Sequence, residues 1–144
     1  MIGVLALQGA FQKHADAIKD LGEEVLLVKT VEDLEKCDGL ILPGGESTAT
    51  LKLLNSELRS AIKTFQIDKP ILGTCCGAIL LANQVDRLPY PSLGGIDMEI
   101  SRNAYGSQVD SFCGKIDLTI GAPIQGFFIR VPKILFCGLK MVKM

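Results

Sequence analysis

No stretch of this sequence approaches the roughly 20 consecutive apolar residues that cross a bilayer, so no membrane span is expected. Basic residues are not in excess either. Lys and Arg number 15 against 16 Asp and Glu, for a net charge of −1 and a pI of about 5.8. That balance argues against nucleic-acid binding through bulk electrostatics. Histidine is nearly absent. His14 stands alone, and no Cys-x-x-Cys or Cys/His ligand spacing occurs, which argues against zinc or another bound metal. No basic flank precedes the apolar run Met1–Leu7, which therefore reads as a strand and not as a signal peptide. The five cysteines, Cys37, Cys75, Cys76, Cys113 and Cys137, are odd in number. With no export signal, they fit reduced thiols in a cytoplasmic protein. There is no internal repeat and no low-complexity segment.

What is present is a chain of 144 residues, enough for one domain with a real core. Hydrophobic residues make up 48% and charged residues 22%, and mean hydropathy is +0.33, which excludes a disordered chain. A sheet buried on both faces accounts for such a composition, because its strands are unbroken apolar runs. The pattern along the chain agrees. Ile2–Leu7 reads as a first strand. Phe11, Ala15, Ile18 and Leu21 mark a helix ended by Gly22. Glu24–Val28 is a second strand, Val31–Glu35 a short helical crossover, and Gly39–Leu42 a third strand stopped by Pro43-Gly44-Gly45. Leu51, Leu54, Leu58, Ile62 and Phe65 keep helical spacing, with a break near Asn55-Ser56. Pro70–Leu72 opens a fourth strand, followed by Cys75 and a helix through Ala82. This alternation predicts an α/β fold: an open, mostly parallel, flavodoxin-like sheet with helices on both faces. After Asn83, Ile96–Ser101, Gln108–Ile116 and Gly126–Arg130 read as strands with no long helix between them. That part is expected to be mixed or antiparallel.

Ligands of open α/β sheets bind beyond the carboxyl ends of the strands. Two features fall there. Gly73-Thr74-Cys75-Cys76-Gly77 has the strand-turn-helix layout of a nucleophile elbow, with Cys75 in the nucleophile's place. Backbone amides at the start of the following helix favour a thiolate and can form an oxyanion hole. Small residues at such a turn also simply permit close packing, and the pattern alone leaves both readings open. The second feature is Pro43-Gly44-Gly45-Glu46-Ser47-Thr48. Its glycines allow close approach to a ligand, and Ser47 or Thr48 is expected to cap the next helix. A plain loop with a cap is the competing reading.

Leu5-Ala6-Leu7-Gln8-Gly9, Leu42-Pro43-Gly44-Gly45-Glu46-Ser47-Thr48, Gly73-Thr74-Cys75, Arg102-Asn103 with Tyr105-Gly106, and Phe128-Ile129-Arg130 occur in that order. Together they resemble the glutaminase subunits of pyridoxal 5'-phosphate synthase, a family of class I, triad-type glutamine amidotransferases. The resemblance runs from Ile2 to about Leu135. It implies hydrolysis of L-glutamine to glutamate and ammonia, with the ammonia passed to a synthase subunit that makes the vitamin B6 cofactor. It implies no cofactor for the glutaminase itself. Cys75 would be the nucleophile. Gly45, Glu46 and Ser47 would line the glutamine site chiefly through backbone, and Arg102 with Ile129 and Arg130 would complete it. Arginine suits the task, because its fork grips an α-carboxylate.

One part of the family's pattern is missing. Its thiol is activated by a histidine within a His-x-Glu motif, and these 144 residues contain no such motif. His14 matches a histidine that family members carry in the first helix, so it is read as a packed or interface residue and not as a displaced base. After Leu135 the sequence departs from the family, which suggests a fragment, an altered reading frame or a short form. The expected consequence is a single, C-terminally truncated amidotransferase domain with poor glutaminase activity and low solubility. An alternative is a form that binds glutamine or the synthase subunit without chemistry. A different Cys-elbow hydrolase or a flavodoxin-like binder fits less well, because neither calls for the Gly-Gly-Glu-Ser loop together with Arg102 and Arg130. Two smaller departures are Cys76, where relatives have a small residue, and Ser101, where many have Glu. The first is expected to confuse thiol labelling of Cys75, the second to orient Arg102 less firmly.

Overall fold

Four short runs without a single charge become the central sheet. They are β1 (Ile2–Leu5), β2 (Val25–Val28), β3 (Gly39–Leu42) and β4 (Ile71–Gly73). The computed structural model describes residues 1–102, 104, 111–117, 121–128 and 132–138. The four strands pair in parallel in the order β2-β1-β3-β4, with Ile2 opposite both Val25 and Gly39, and Leu40 opposite Ile71. Parallel neighbours need crossovers, which are α1 (Phe11–Asp20), α2 (Val31–Glu35), and the pair α3 (Ser47–Leu53) and α4 (Ser56–Asp68). The fold class expected from the sequence is the one observed.

Strand alternation divides the apolar residues between the two faces of the sheet. Leu5, Leu40 and Leu42 join Leu34 of α2 and Leu58 and Ile62 of α4 in the main core, each no more than 2% exposed. Val4 and Ile41, one position out of step, face the other way, and both are buried. Helix ends follow from local polar chemistry. Thr30 and Asp33 form a capping box that starts α2. Asn55 Oδ1 accepts from the Leu58 amide at 2.8 Å and starts α4, which is why the helical pattern breaks there. The cap of α3 is neither Ser47 nor Thr48, as the sequence suggests, but Glu46. Its carboxylate accepts from the amides of Thr48 (2.9 Å) and Ala49 (2.6 Å).

Helix α5 (Cys76–Leu81) follows β4 and stops one residue earlier than expected, because Ala82 opens β5 (Ala82–Val85). β5 pairs in parallel with β6 (Ile96–Ser101), and β6 pairs antiparallel with β9 (Lys133–Cys137). β7 (Phe112–Ile116) and β8 (Ile124–Phe128) form an antiparallel pair whose Phe112 and Phe128 rings stack at 4.7 Å. This half is mixed, as expected. The strand read as Gln108–Ile116 begins at Phe112, and residues 108–110 lie outside the described residues. The strand read as Gly126–Arg130 is observed as Ile124–Phe128, with Ile129 and Arg130 outside the described residues. β5 and β9 are additions to the sequence reading. Among the described residues, β4 and β9 are edge strands, with Leu72 57%, Leu135 52% and Phe136 54% exposed. No helix of the described residues is long and apolar enough to cross a membrane.

Candidate active site

The chain runs from β1 to a neighbour on one side and then to β3 on the other, so the topological switch lies between β1 and β3. A crevice opens at their carboxyl ends. Two loops meet in it by backbone contact. The Ala10 amide donates to the Gly44 carbonyl at 2.9 Å. Gly9, at φ +88°, leaves so little room that a Cβ there would stand 2.1 Å from the same carbonyl. Gln8 ties the loops further. Its Nε2 donates to the Glu46 carbonyl at 3.0 Å and to the Thr50 hydroxyl, and its Oε1 accepts from the Glu46 amide at 3.3 Å.

The sequence Gly73-Thr74-Cys75-Cys76-Gly77 builds the third wall. Cys75 holds φ +50° and ψ −101°, a conformation that side chains rarely adopt. Its neighbours fix it there. The Thr74 amide donates to the Leu42 carbonyl at 3.1 Å, the Gly77 amide to the Thr74 carbonyl at 2.9 Å, and the Ile79 amide to the Cys75 carbonyl at 3.2 Å. The glycines are obligatory for packing. A Cβ on Gly77 would lie 2.0 Å from the Leu42 carbonyl oxygen, and one on Gly73 would lie 2.5 Å from the Gly77 carbonyl carbon. The thiol of Cys75 is thereby lifted clear of the sheet and exposed. A Cβ on Gly44 would stand 3.6 Å from the Cys75 Cβ, so the loop backbone lies beside the Cys75 side chain.

Cys76 points the opposite way, fully buried, with its Sγ 3.5 Å from the Thr50 hydroxyl. Burial pushes its thiol up to about 11. Cys76 therefore does not compete with Cys75 for reagents, contrary to the expectation from sequence. Under native conditions at pH 8, iodoacetamide is expected to modify Cys75 and leave Cys76 free. Denaturant should make both react, as read by fragmentation of the peptide that carries the pair. Modification of native Cys76 at the rate of Cys75 would sink this.

Among the described residues the cation at the crevice is Arg102. Its guanidinium lies 3.4 Å from Glu46 Oε1 and donates to the Thr48 hydroxyl at 3.3 Å and to the Arg87 carbonyl at 2.9 Å. The Arg102 side chain is 13% exposed, so its charge is directed inward at the loop. Ser101 does not leave it loose. The Asp86 carboxylate accepts from both the Arg102 amide (2.5 Å) and the Ser101 hydroxyl (2.9 Å), and the amide above all holds that carboxyl below the usual carboxylate range. Burial pushes the Glu46 carboxyl up. The Thr48 and Ala49 amides, the Thr48 hydroxyl and Arg102 outweigh burial, and the group sits below its ordinary value.

The structure thus gathers Cys75, Gly45, Glu46, Ser47 and Arg102 around one crevice. Ser47 is 3% exposed in the first turn of α3, while Gly45 and Glu46 are open to solvent. Ile129 and Arg130 lie outside the described residues. Beside Cys75 a cavity of about 310 Å³ is lined by apolar side chains, among them Ala78, Ile100, Phe127, Phe128 and Ile134. That lining cannot satisfy a zwitterion, so the polar wall of Gln8, Glu46 and Arg102 is the side suited to an amino acid. Sequence reasoning assigned no role to Asp86 or Thr50. Gln8 belongs to the Leu5–Gly9 motif but has no role of its own in the sequence reading. His14 Nε2 lies 3.1 Å from the Thr74 hydroxyl, one residue from Cys75.

The model of the SNO glutamine amidotransferase family matches residues 4–143, reaching beyond Leu135. A protein from Oenococcus oeni named pyridoxal 5'-phosphate synthase subunit PdxT is 47% identical over 135 residues, which are 92% of this chain and 71% of that protein. A protein of the same name from Francisella tularensis is 46% identical over 138 residues, 95% of this chain and 74% of its own. A solved structure described as that of a glutamine amidotransferase superposes with a TM-score of 0.86 at 38% identity, covering 95% of this chain and 75% of the other.

Proposed function

The chain belongs to the SNO glutamine amidotransferase family, and on that premise we propose that it serves as the glutaminase subunit of a pyridoxal 5'-phosphate synthase, a single amidotransferase domain working in the cytoplasm. The observation that carries the reading is the strained Cys75 elbow with the Gly44 backbone packed against it. In the proposed reaction the Cys75 sulfur attacks the side-chain carbonyl carbon of L-glutamine. The carbon–nitrogen bond breaks, a proton joins the nitrogen, and ammonia leaves. Water then cleaves the resulting γ-glutamyl thioester, giving glutamate and regenerating the thiol. Arg102 supplies the positive charge for the substrate α-carboxylate, which must share the guanidinium with Glu46. Gly45, Glu46 and Ser47 offer their backbone to the rest of the amino acid, and Ile129 and Arg130 complete the pocket. Ammonia goes to the synthase subunit.

L-Glutamine should protect Cys75, but not Cys113, from iodoacetamide. Any glutamate and ammonia released should vanish in Cys75→Ser. Alkylation of Cys75 that is indifferent to saturating glutamine would refute the reading. One observation favours a second form of it, a subunit that binds glutamine or the synthase without turnover. The single histidine of these 144 residues is engaged with Thr74, and these residues contain no His-x-Glu motif. Protection without product would identify that form.

A further inference from the structure

We propose that His14 is a positioning residue of the elbow, acting on Cys75 through Thr74. This inference rests on Cys75 being the nucleophile. His14 lies on α1, 60 positions before Thr74, and is half-buried between that helix and the end of β4. Its Nε2 meets the Thr74 hydroxyl at 3.1 Å. Thr74 is the pivot of the turn. Its amide is held by Leu42, its carbonyl by Gly77, and its hydroxyl lies about as far as a van der Waals contact, 4.0 Å, from where a Cβ of Gly44 would stand.

The backbone of Cys75 needs such support. A side chain at φ +50°, ψ −101° is sparsely populated and persists only where its surroundings over-determine it. The backbone bonds of the elbow run along the turn or to β3. The contact from His14 is of a different kind. It reaches the turn from the far side of the crevice and pins the side chain of the residue next to the nucleophile. Without it, the turn can relax toward an ordinary conformation and carry the sulfur off its exposed perch.

The test follows the rate at which iodoacetamide modifies Cys75, with exposed Cys113 in the same molecule as the internal standard. His14→Phe keeps a ring of similar size and removes the hydrogen bond. Its loss, at about 1 kcal/mol, is expected to slow Cys75 roughly fivefold with Cys113 unchanged. Thr74→Val should slow Cys75 by the same factor. The double variant should slow it no further, and His14→Gln, which can still bond to the hydroxyl, should recover to within about twofold of the parent. An unchanged or faster Cys75 in both single variants, or effects that multiply in the double variant, would overturn the proposal. A general weakening of the fold would open the buried thiols Cys37 and Cys76 to the reagent and would not be rescued by glutamine at position 14. Failure of the glutaminase reading appears elsewhere, as loss of substrate protection in the unsubstituted chain.

Discussion

A polypeptide of these 144 residues is expected to turn over L-glutamine at least about 10⁴-fold more slowly than a family member that carries the His-x-Glu motif. Two proton transfers stand behind that figure. The thiol must lose its proton to attack, and the departing nitrogen must gain one to leave as ammonia. A positioned acid–base group is worth roughly 10² to 10⁴ in such steps, and removing the histidine of a hydrolase triad can cost about 10⁶. The chain holds one histidine, and its Nε2 is directed at Thr74. Glu46, the carboxylate beside the crevice, is committed as the cap of α3 and as partner of Arg102, and it sits below its ordinary pKa, which makes it a weaker base still. The measurement is steady-state release of glutamate, compared with that family member at saturating glutamine. Turnover within tenfold of that reference would mean that another group does the histidine's work, and the assignment of roles in the crevice would have to be redrawn.

The second large effect is on stability. Gly77→Ala is expected to cost about 3 kcal/mol or more, a fall of roughly 10 °C in Tm. The added carbon would sit 2.0 Å from the Leu42 carbonyl oxygen and 2.8 Å from the Leu42 Cβ. Neither can yield cheaply, because Leu42 is fully buried and belongs to an interior strand of the sheet. Moving α5 away instead would break the elbow and open the core around Leu80 and Leu81. Gly22→Ala is the matched control. Gly22 has φ +81°, but nothing lies within 4 Å of its would-be Cβ. That variant tests left-handed strain alone, about 1 kcal/mol. Thermal melts of the two variants separate packing from backbone strain. Equal shifts would mean that the close approach of α5 to β3 is not what fixes the turn.

Much of this architecture is legible in the sequence. The strands β1 to β4 were legible because burial on both faces leaves an uncharged apolar run, and the break at Asn55 because asparagine is a good cap. The turn itself is legible in Gly73 to Gly77 as strand, small residues, helix, a pattern that fits close packing as well as a nucleophile's elbow. The cap of α3 was misplaced for an equally physical reason. Ser and Thr are the usual caps, and the carboxylate that does the work stands one residue earlier. β5 escaped notice because Ala82-Asn83-Gln84-Val85 has no strand-like alternation, and it is held by pairing with β6. Gln8, Asp86 and the pairing of His14 with Thr74 share a deeper obscurity. Their partners lie 38, 16 and 60 positions away, and nothing local in a sequence encodes which distant polar group will face which.

Two of the sheet edges, β4 and β9, carry a consequence for the molecule in bulk. β9 is five residues long and, among the described residues, unpaired on one side, where alternate residues present main-chain donors and acceptors; Ile134, Leu135 and Phe136 are each more than half exposed. β4 adds Leu72 at 57% exposure. Such an edge is a template for a strand of another molecule, and nothing about it requires unfolding first. Loss of the monomer is then a bimolecular process that starts from the native state. Its rate grows with the square of concentration and responds little to changes that deepen the folding well. Dilution protects such a protein where added stability does not.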